Sequence, residues 1–351
     1  MQLIDYTPRS KLQVKTTLVQ KPRFPVIDAH NHINATFAPS ESTSIQGLLG
    51  NMDEAGVKIF VDLDGGWGED ILQSHLDTYK SVSPERFIHF GGVDWLQWAE
   101  KAGEFGEWAA KRLQEQVRWG AQGLKIWKNL GLKVHDHLKN LVQIDDSRLD
   151  PLWSTAADLG IPVLIHVADP VAFFDPLDAH NERWEELINH PDWHFPSPPY
   201  PTFKNIMGQL ANLIMRHPKT TFIGAHVGCY AENLAWVSNL LDQAPNFYVD
   251  ISARISELGR QPYTARRFFL DYADRILFGT DMGSNPDTYR IYYRFLESDD
   301  EYFNYATGEI PGQGRWQIYG LHLPDDVLKK IYHHNAKNIF GLKGEIHENA
   351  G

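Results

Sequence analysis

Val26-Ile27-Asp28-Ala29-His30-Asn31-His32 reads as an apolar strand that runs out into two histidines. Residues two apart on a strand face the same side, so the imidazoles of His30 and His32 project into one space. The pattern recurs along the chain. Ile161-Pro162-Val163-Leu164-Ile165-His166 and Phe222-Ile223-Gly224-Ala225-His226 each close on a histidine. Arg275-Ile276-Leu277-Phe278-Gly279-Thr280-Asp281 closes on an aspartate. Four further runs share the apolar, β-branched character: Lys58 to Asp64, Phe87 to Trp95, Gly123 to Trp127 and Phe247 to Ala253. Amphipathic stretches separate all eight, which is the pattern of βα units in a parallel sheet.

The intervening runs carry helix punctuation. The stretch 47–56 ends at Gly56, and 105–120 ends at Gly120. The stretch 150–160 begins Asp-Pro and ends at Gly160. A last helix starts at Leu323-Pro324-Asp325-Asp326. Eight βα units in one chain predict an α/β fold of the (β/α)8 TIM-barrel type in a single domain. An open doubly wound sheet is the alternative. Residues 1–24 read as an N-terminal arm and 25–345 as the barrel domain. Long loops are expected after strands 5 (168–205) and 8 (282–323). Both are aromatic-rich and both belong to the C-terminal face, where barrels of this kind carry their sites. The first, Pro-stiffened, is expected to lie over the strand ends.

Composition sets outer limits. The 351 residues include 42% hydrophobic and 22% charged side chains, ordinary for a globular chain, and the length permits a large core. One cysteine, Cys229, rules out an internal disulfide framework. A formal charge of -12 argues against a nucleic-acid or acidic-membrane surface, yet leaves room for an anionic small molecule in a local pocket. No apolar run of about 18 residues exists, so no membrane span is expected. The chain is expected to be cytoplasmic, with an upstream leader left open. Its expected partner is a small-molecule substrate, with neither nucleic acid nor membrane, and homodimerisation is left open.

His-x-His on strand one, His on strands five and six and Asp on strand eight form a convergent set. Imidazole nitrogens plus a carboxylate suit Zn2+ and other first-row divalent ions. The order and strand positions resemble the amidohydrolase superfamily over about residues 25–341. Residues 26–32, Leu277-Phe278-Gly279-Thr280-Asp281 and His334-Asn335-Ala336 resemble its amidohydrolase-related branch. That branch includes hydrolases, lactonases and aminocarboxymuconate-semialdehyde decarboxylase-like enzymes. The resemblance implies that His30, His32, His166 and Asp281 hold one divalent metal ion, taken as Zn2+. His226 would be a ligand of a second metal or a general acid/base, and Asp281 would also take a proton.

Lys125, inside an apolar strand, is costly unless its charge is satisfied. Three readings stand: a carboxylated bridge to a second metal, a cationic substrate binder, or a side chain reaching Asp62 or Asp64. The cationic pocket residue is preferred, and Lys128 could share the role. Arg254, at the end of strand seven, offers a planar fork for a carboxylate. The plainer reading pairs it with Glu257 or Asp250. Asp250 is otherwise expected to orient a ligand histidine. Trp67 and Trp127, with Trp95, could wall a pocket for a flat substrate or simply pack the rim. The first reading of function is therefore a metal-dependent hydrolase acting on a carboxylate-bearing small molecule. Non-oxidative decarboxylation of an aromatic or unsaturated acid is the alternative, and a metal- or ligand-binding protein without turnover is the remaining class.

Overall fold

The computed structural model describes residues 9–33 and 44–344. All eight expected strands form: β1 Val26–Asn31, β2 Val57–Asp62, β3 Phe87–His89, β4 Leu124–Ile126, β5 Val163–Ile165, β6 Phe222–Gly224, β7 Phe247–Asp250 and β8 Ile276–Leu277. Every pairing is parallel and sequential, in the runs β1-β2-β3 and β4-β5-β6-β7-β8. Backbone bonds join the two runs into a ring. Lys125 N donates to Gly91 O (2.8 Å) between β3 and β4, and Ala29 N donates to Phe278 O (2.9 Å) between β1 and the end of β8. The fold is a (β/α)8 barrel, which excludes the open sheet.

Burial on both faces explains the unbroken apolar character of the strands. Ile27, Val61, Ile88, Leu164, Ile223 and Leu277 fill the interior, with Ala336 among them. Val26, Phe60, Phe87, Leu124, Val163 and Phe222 face the outer helices. Those helices are α1 Ile45–Ala55, α2 Glu69–His75, α3 Phe105–Trp119, α4 Asp150–Asp158, α5 Phe203–Arg216, α6 Leu234–Gln243 and α7 Pro262–Asp271. The cap residues act as expected. Ser44 accepts from Gly47 N at 3.1 Å to start α1, and left-handed Gly56 (φ 77°) ends it.

Two connections differ from expectation. The stretch 282–323 is not one loop, because it contains α8, Pro286–Glu297. Asn285 caps it, Pro286 opens it, and Tyr289, Tyr292, Tyr293 and Leu296 recur at helical spacing and are buried. The connection from β4 to α4 is also long and holds a bridge between His135 and Leu141 and a 3-10 turn at Ser147–Leu149. The 168–205 connection packs on the C-terminal face. Its Arg183 is wholly buried and pairs with Glu257, just past β7, and with Glu186 at 2.8 Å. Arm residues 9–24 have no regular structure, and the Thr17 hydroxyl donates to Asp300 at 2.7 Å. Residues 1–8 of the arm and residues 34–43 and 345 of the domain lie outside the described residues. Among the described residues no helix is long and apolar enough to cross a membrane.

Candidate active site

Strict strand alternation would put His30 on the same face as Asp28, outside the barrel. A register irregularity between Asp28 and Asn31 breaks that alternation. Asp28 faces outward and accepts from the Tyr289 hydroxyl of α8 at 2.7 Å. His30 turns inward, with its Nε2 3.5 Å from Lys125 Nζ. At the other strand ends the backbone enters the left-handed region. His226, Val227, Gly228 and Cys229 do so in succession (φ 58° to 63°), and Ala253 (52°) and Asp281 (55°) follow suit. Each non-glycine residue there costs about 1–2 kcal/mol. Such strain is retained where a site needs the side chain aimed; here it turns His226 and Asp281 toward each other and places Arg254.

The outcome is convergence on one carboxylate. Asp281 Oδ1 lies 3.4 Å from His32 Nε2, and its Oδ2 lies 3.8 Å from His30 Nε2 and 3.7 Å from His226 Nε2. Each of the three rings is held from behind through Nδ1. His30 Nδ1 lies 2.8 Å from Asp250 Oδ2, His32 Nδ1 lies 2.7 Å from Asp64 Oδ1, and His226 Nδ1 lies 2.9 Å from Ser252 O. An Nδ1 that donates leaves its Nε2 as a lone pair, which is how a metal-binding imidazole is set. Burial keeps the His30 and His226 rings well below the ordinary histidine range, so they are neutral at pH 7.

The donor set fits a divalent ion. His30, His32 and Asp281 have donor atoms within 4.8 Å of one another. His166 is not in that group. It stands edge-on to His226 at 4.4 Å, its buried Nε2 has no hydrogen-bond partner, and Asp169 Oδ1 lies 3.4 Å away. Burial pushes its imidazole down to about 4. A neutral, buried ring nitrogen without a partner is what a ligand position looks like in the absence of its ion.

Lys125 is buried, and burial lowers its ammonium to about 8, partly offset by Asp281 and Asp250. It does not reach Asp62 or Asp64. Asp62 is taken by His75 and His89 at 2.7 and 2.8 Å, and Asp64 holds His32. Lys128 pairs with Asp169. Arg254 is 5% exposed and donates to Ala253 O at 2.9 Å. Neither expected partner takes it, since Glu257 pairs with Arg183 and Asp250 with His30. Among the described residues its guanidinium forms no ion pair. Trp67 and Trp127 stack at 4.7 Å and each lies about 5 Å from the His32 ring, at 5.0 and 5.1 Å. They wall the site on one side.

Asp64, Ser252 and Asp169 are site residues that the strand-end reading did not assign. Asp64 and Asp169 each sit just beyond a strand run, which is the signal that could have found them. Ser252 Oγ donates to Asp250 Oδ1 at 2.5 Å and had no such signal.

A (β/α)8 barrel with histidines gathered around an aspartate at its C-terminal mouth defines a class built for metal-assisted chemistry. The chain belongs to the amidohydrolase family, whose model matches residues 84–342, more than half of its length. No curated protein matches it in sequence. Several solved structures share the fold. A 2,6-dihydroxybenzoate decarboxylase from Rhizobium is 17% identical, with a TM-score of 0.56 over 92% of this chain and 100% of its own. A dihydroxybenzoic acid decarboxylase from Polaromonas sp. JS666, with bound manganese and the inhibitor 2-nitroresorcinol, is 19% identical (TM-score 0.57, 91% and 97%). A 5-carboxyvanillate decarboxylase from Novosphingobium aromaticivorans, complexed with manganese and 4-hydroxy-3-methoxy-5-nitrobenzoic acid, is 16% identical (TM-score 0.52, 88% and 86%).

Proposed function

We propose that this protein removes carbon dioxide, without oxidation, from an aromatic acid. The observation that carries this reading is Arg254, a buried residue whose guanidinium forms no ion pair among the described residues, set beside the histidine cluster. A site that keeps such a charge unpaired is matched to an anion that arrives with the substrate. Hydrolysis was the first expectation that the family resemblance implied. The fold neighbours named for aromatic-acid decarboxylation weigh toward the alternative.

His30, His32, His166 and Asp281 would hold the divalent ion, which when bound would orient the acid and stabilise negative charge on its oxygens. Manganese in two of the neighbours makes Mn2+ the first ion to test, ahead of Zn2+. A second ion would need carboxylated Lys125, whose Nζ lies 3.5 Å from His30 Nε2. Arg254 pairs with the carboxylate through two parallel hydrogen bonds. Lys125 adds positive charge beneath the ring, and Trp67 and Trp127 flank its face. In the ion-free site burial raises the Asp281 carboxyl above its usual range, so it can take up a proton there. Asp281 delivers that proton to the ring carbon bearing the carboxylate. The carbon–carbon bond then breaks, CO2 leaves, and the bonding pair remains on the ring, which regains aromaticity.

The test is turnover by the Mn2+-loaded protein of ortho-hydroxy aromatic acids in D2O. The expected result is CO2 release with one deuterium at the carbon that carried the carboxylate. Ester, lactone or amide cleavage with no CO2 from any aromatic acid would overturn the reading and restore hydrolysis.

A further inference from the structure

A cavity of about 880 Å3 opens beside the histidine cluster, between the connections after β2, β3 and β4. Its walls are aromatic: Trp67, Trp95, Trp108 and Trp127, with Phe195 from the connection after β5. Trp67 and Trp127 belong to both spaces, since they line the cavity and also lie against His32. The floor is bare backbone from Gly65, Gly66 and Gly92. A Cβ on Gly66 would lie 2.5 Å from Trp127 Nε1, on Gly92 2.4 Å from Gly66 Cα, and on Gly65 2.1 Å from Phe90 O. No side chain fits there, so these glycines let the backbones after β2 and β3 pack closely against each other and against Trp127.

The charge pattern limits what the cavity accepts. Arg112 is held by Glu69 (Nε to Oε1, 2.9 Å) and by Glu115, and Lys128 by Asp169. Lys133 lies over the Phe195 ring at 5.6 Å. The paired cations have no call for a second carboxylate, in contrast to Arg254. Cavities of roughly 300–1,000 Å3 take drug-sized ligands, and none of the site histidines lines this one. Aromatic walls favour a flat ring through stacking and apolar burial.

We infer that this cavity is a second subsite, which takes an uncharged aromatic ring carried by the acid whose carboxylate meets Arg254. The substrate class is thereby a two-ring aromatic acid. The inference rests on the decarboxylase reading for the position of the carboxylate, and on the cavity itself for the second ring.

The experiment compares 2-hydroxybenzoic acid with its phenyl-substituted isomers, using the metal-loaded full chain. Binding is measured by calorimetry and turnover by CO2 release, with Trp95→Ala and the space-filling Val93→Phe beside the wild type. Thermal melts confirm that each variant folds. One phenyl isomer is expected to bind about tenfold tighter than the parent acid, from the ring's burial and stacking. Both variants should erase most of that advantage, weakening the phenyl acid far more than the parent. If no phenyl isomer gains, or if the gain survives in both variants, the subsite is wrong. If the variant-sensitive gain is present but neither acid loses CO2, the subsite stands and the reaction class falls. If the parent acid loses CO2 and no isomer gains, the reverse holds.

Discussion

Arg254→Lys keeps the positive charge and discards the planar fork. In the structure Arg254 is 5% exposed and donates one N–H to Ala253 O, and its guanidinium forms no ion pair among the described residues. A lysine ammonium can satisfy one carboxylate oxygen from this position but not two in parallel. Losing one charge-assisted hydrogen bond in a water-poor site costs about 1.5–3 kcal/mol. The expected fall in kcat/KM for an aromatic acid is therefore on the order of 10- to 100-fold, about 1.4–2.7 kcal/mol. Binding of a neutral ligand of similar shape, such as the corresponding phenol, should change much less. Arg254→Met supplies an independent readout. It removes an unpaired buried charge while keeping the stem, so the melting temperature of the ion-free protein should hold or rise as activity disappears. Steady-state kinetics on the acid, calorimetry on the phenol and thermal melts test this together. Equal losses for acid and phenol under Arg254→Lys would refute the anion-binding role. So would a loss of about 3–5 kcal/mol of stability under Arg254→Met, the signature of breaking a structural ion pair.

Elemental analysis should find one divalent ion per chain, lost in the double variant His30→Ala/His32→Ala; two equivalents with a carbamate on Lys125 would overturn the mononuclear reading. Asp250→Asn loosens the hold on His30 Nδ1 (2.8 Å in the structure) and should weaken metal affinity about 10- to 100-fold in a chelator competition; unchanged affinity would deny Asp250 a positioning role. His333, remote from the cluster, has its Nδ1 3.0 Å from Pro25 O, and burial pushes its imidazole down to about 4. The unfolded chain protonates it near 6.5, so the folded state is penalised as pH falls from about 6.5 toward 4. His333→Asn should flatten that part of the melting-temperature profile, and an identical slope in variant and wild type would contradict the assignment.

The strands were legible because a parallel barrel buries both faces, and a doubly buried strand is written as a continuous apolar run. All eight begin within two residues of the expected start. They end early, however, and the reason is chemical. The last residues of the expected runs leave the hydrogen-bond ladder to aim side chains at the mouth. They do so through left-handed turns at His226, Ala253 and Asp281, where no glycine announces the bend. The inward turn of His30 has the same character: His-x-His was visible, but the irregularity after Asp28 that reverses its face was not. Helix α8 was hidden by composition. Its tyrosines read as loop aromatics, although Asn285-Pro286 and the spacing of Tyr289, Tyr292, Tyr293 and Leu296 spell a capped helix with one buried stripe.

Partners across the barrel were the least legible. His30 meets Asp250 across 220 positions of chain, and His32 meets Asp64 only because β1 and β2 are neighbours in the ring. One sequence shows that each aspartate ends a strand; which imidazole it holds depends on closure and register. The same limit governed Arg254. Its candidate partners by proximity in sequence were Glu257 and Asp250, and the fold gives the first to Arg183 and the second to His30. What remains is a buried guanidinium that forms no ion pair among the described residues, with the charges of Asp281, Glu186 and Glu232 around it. That arrangement has a cost in stability and is sustained where a ligand supplies the missing charge. Local sequence could propose that role for Arg254, and only the tertiary pairing of every competing carboxylate turns it into an argument.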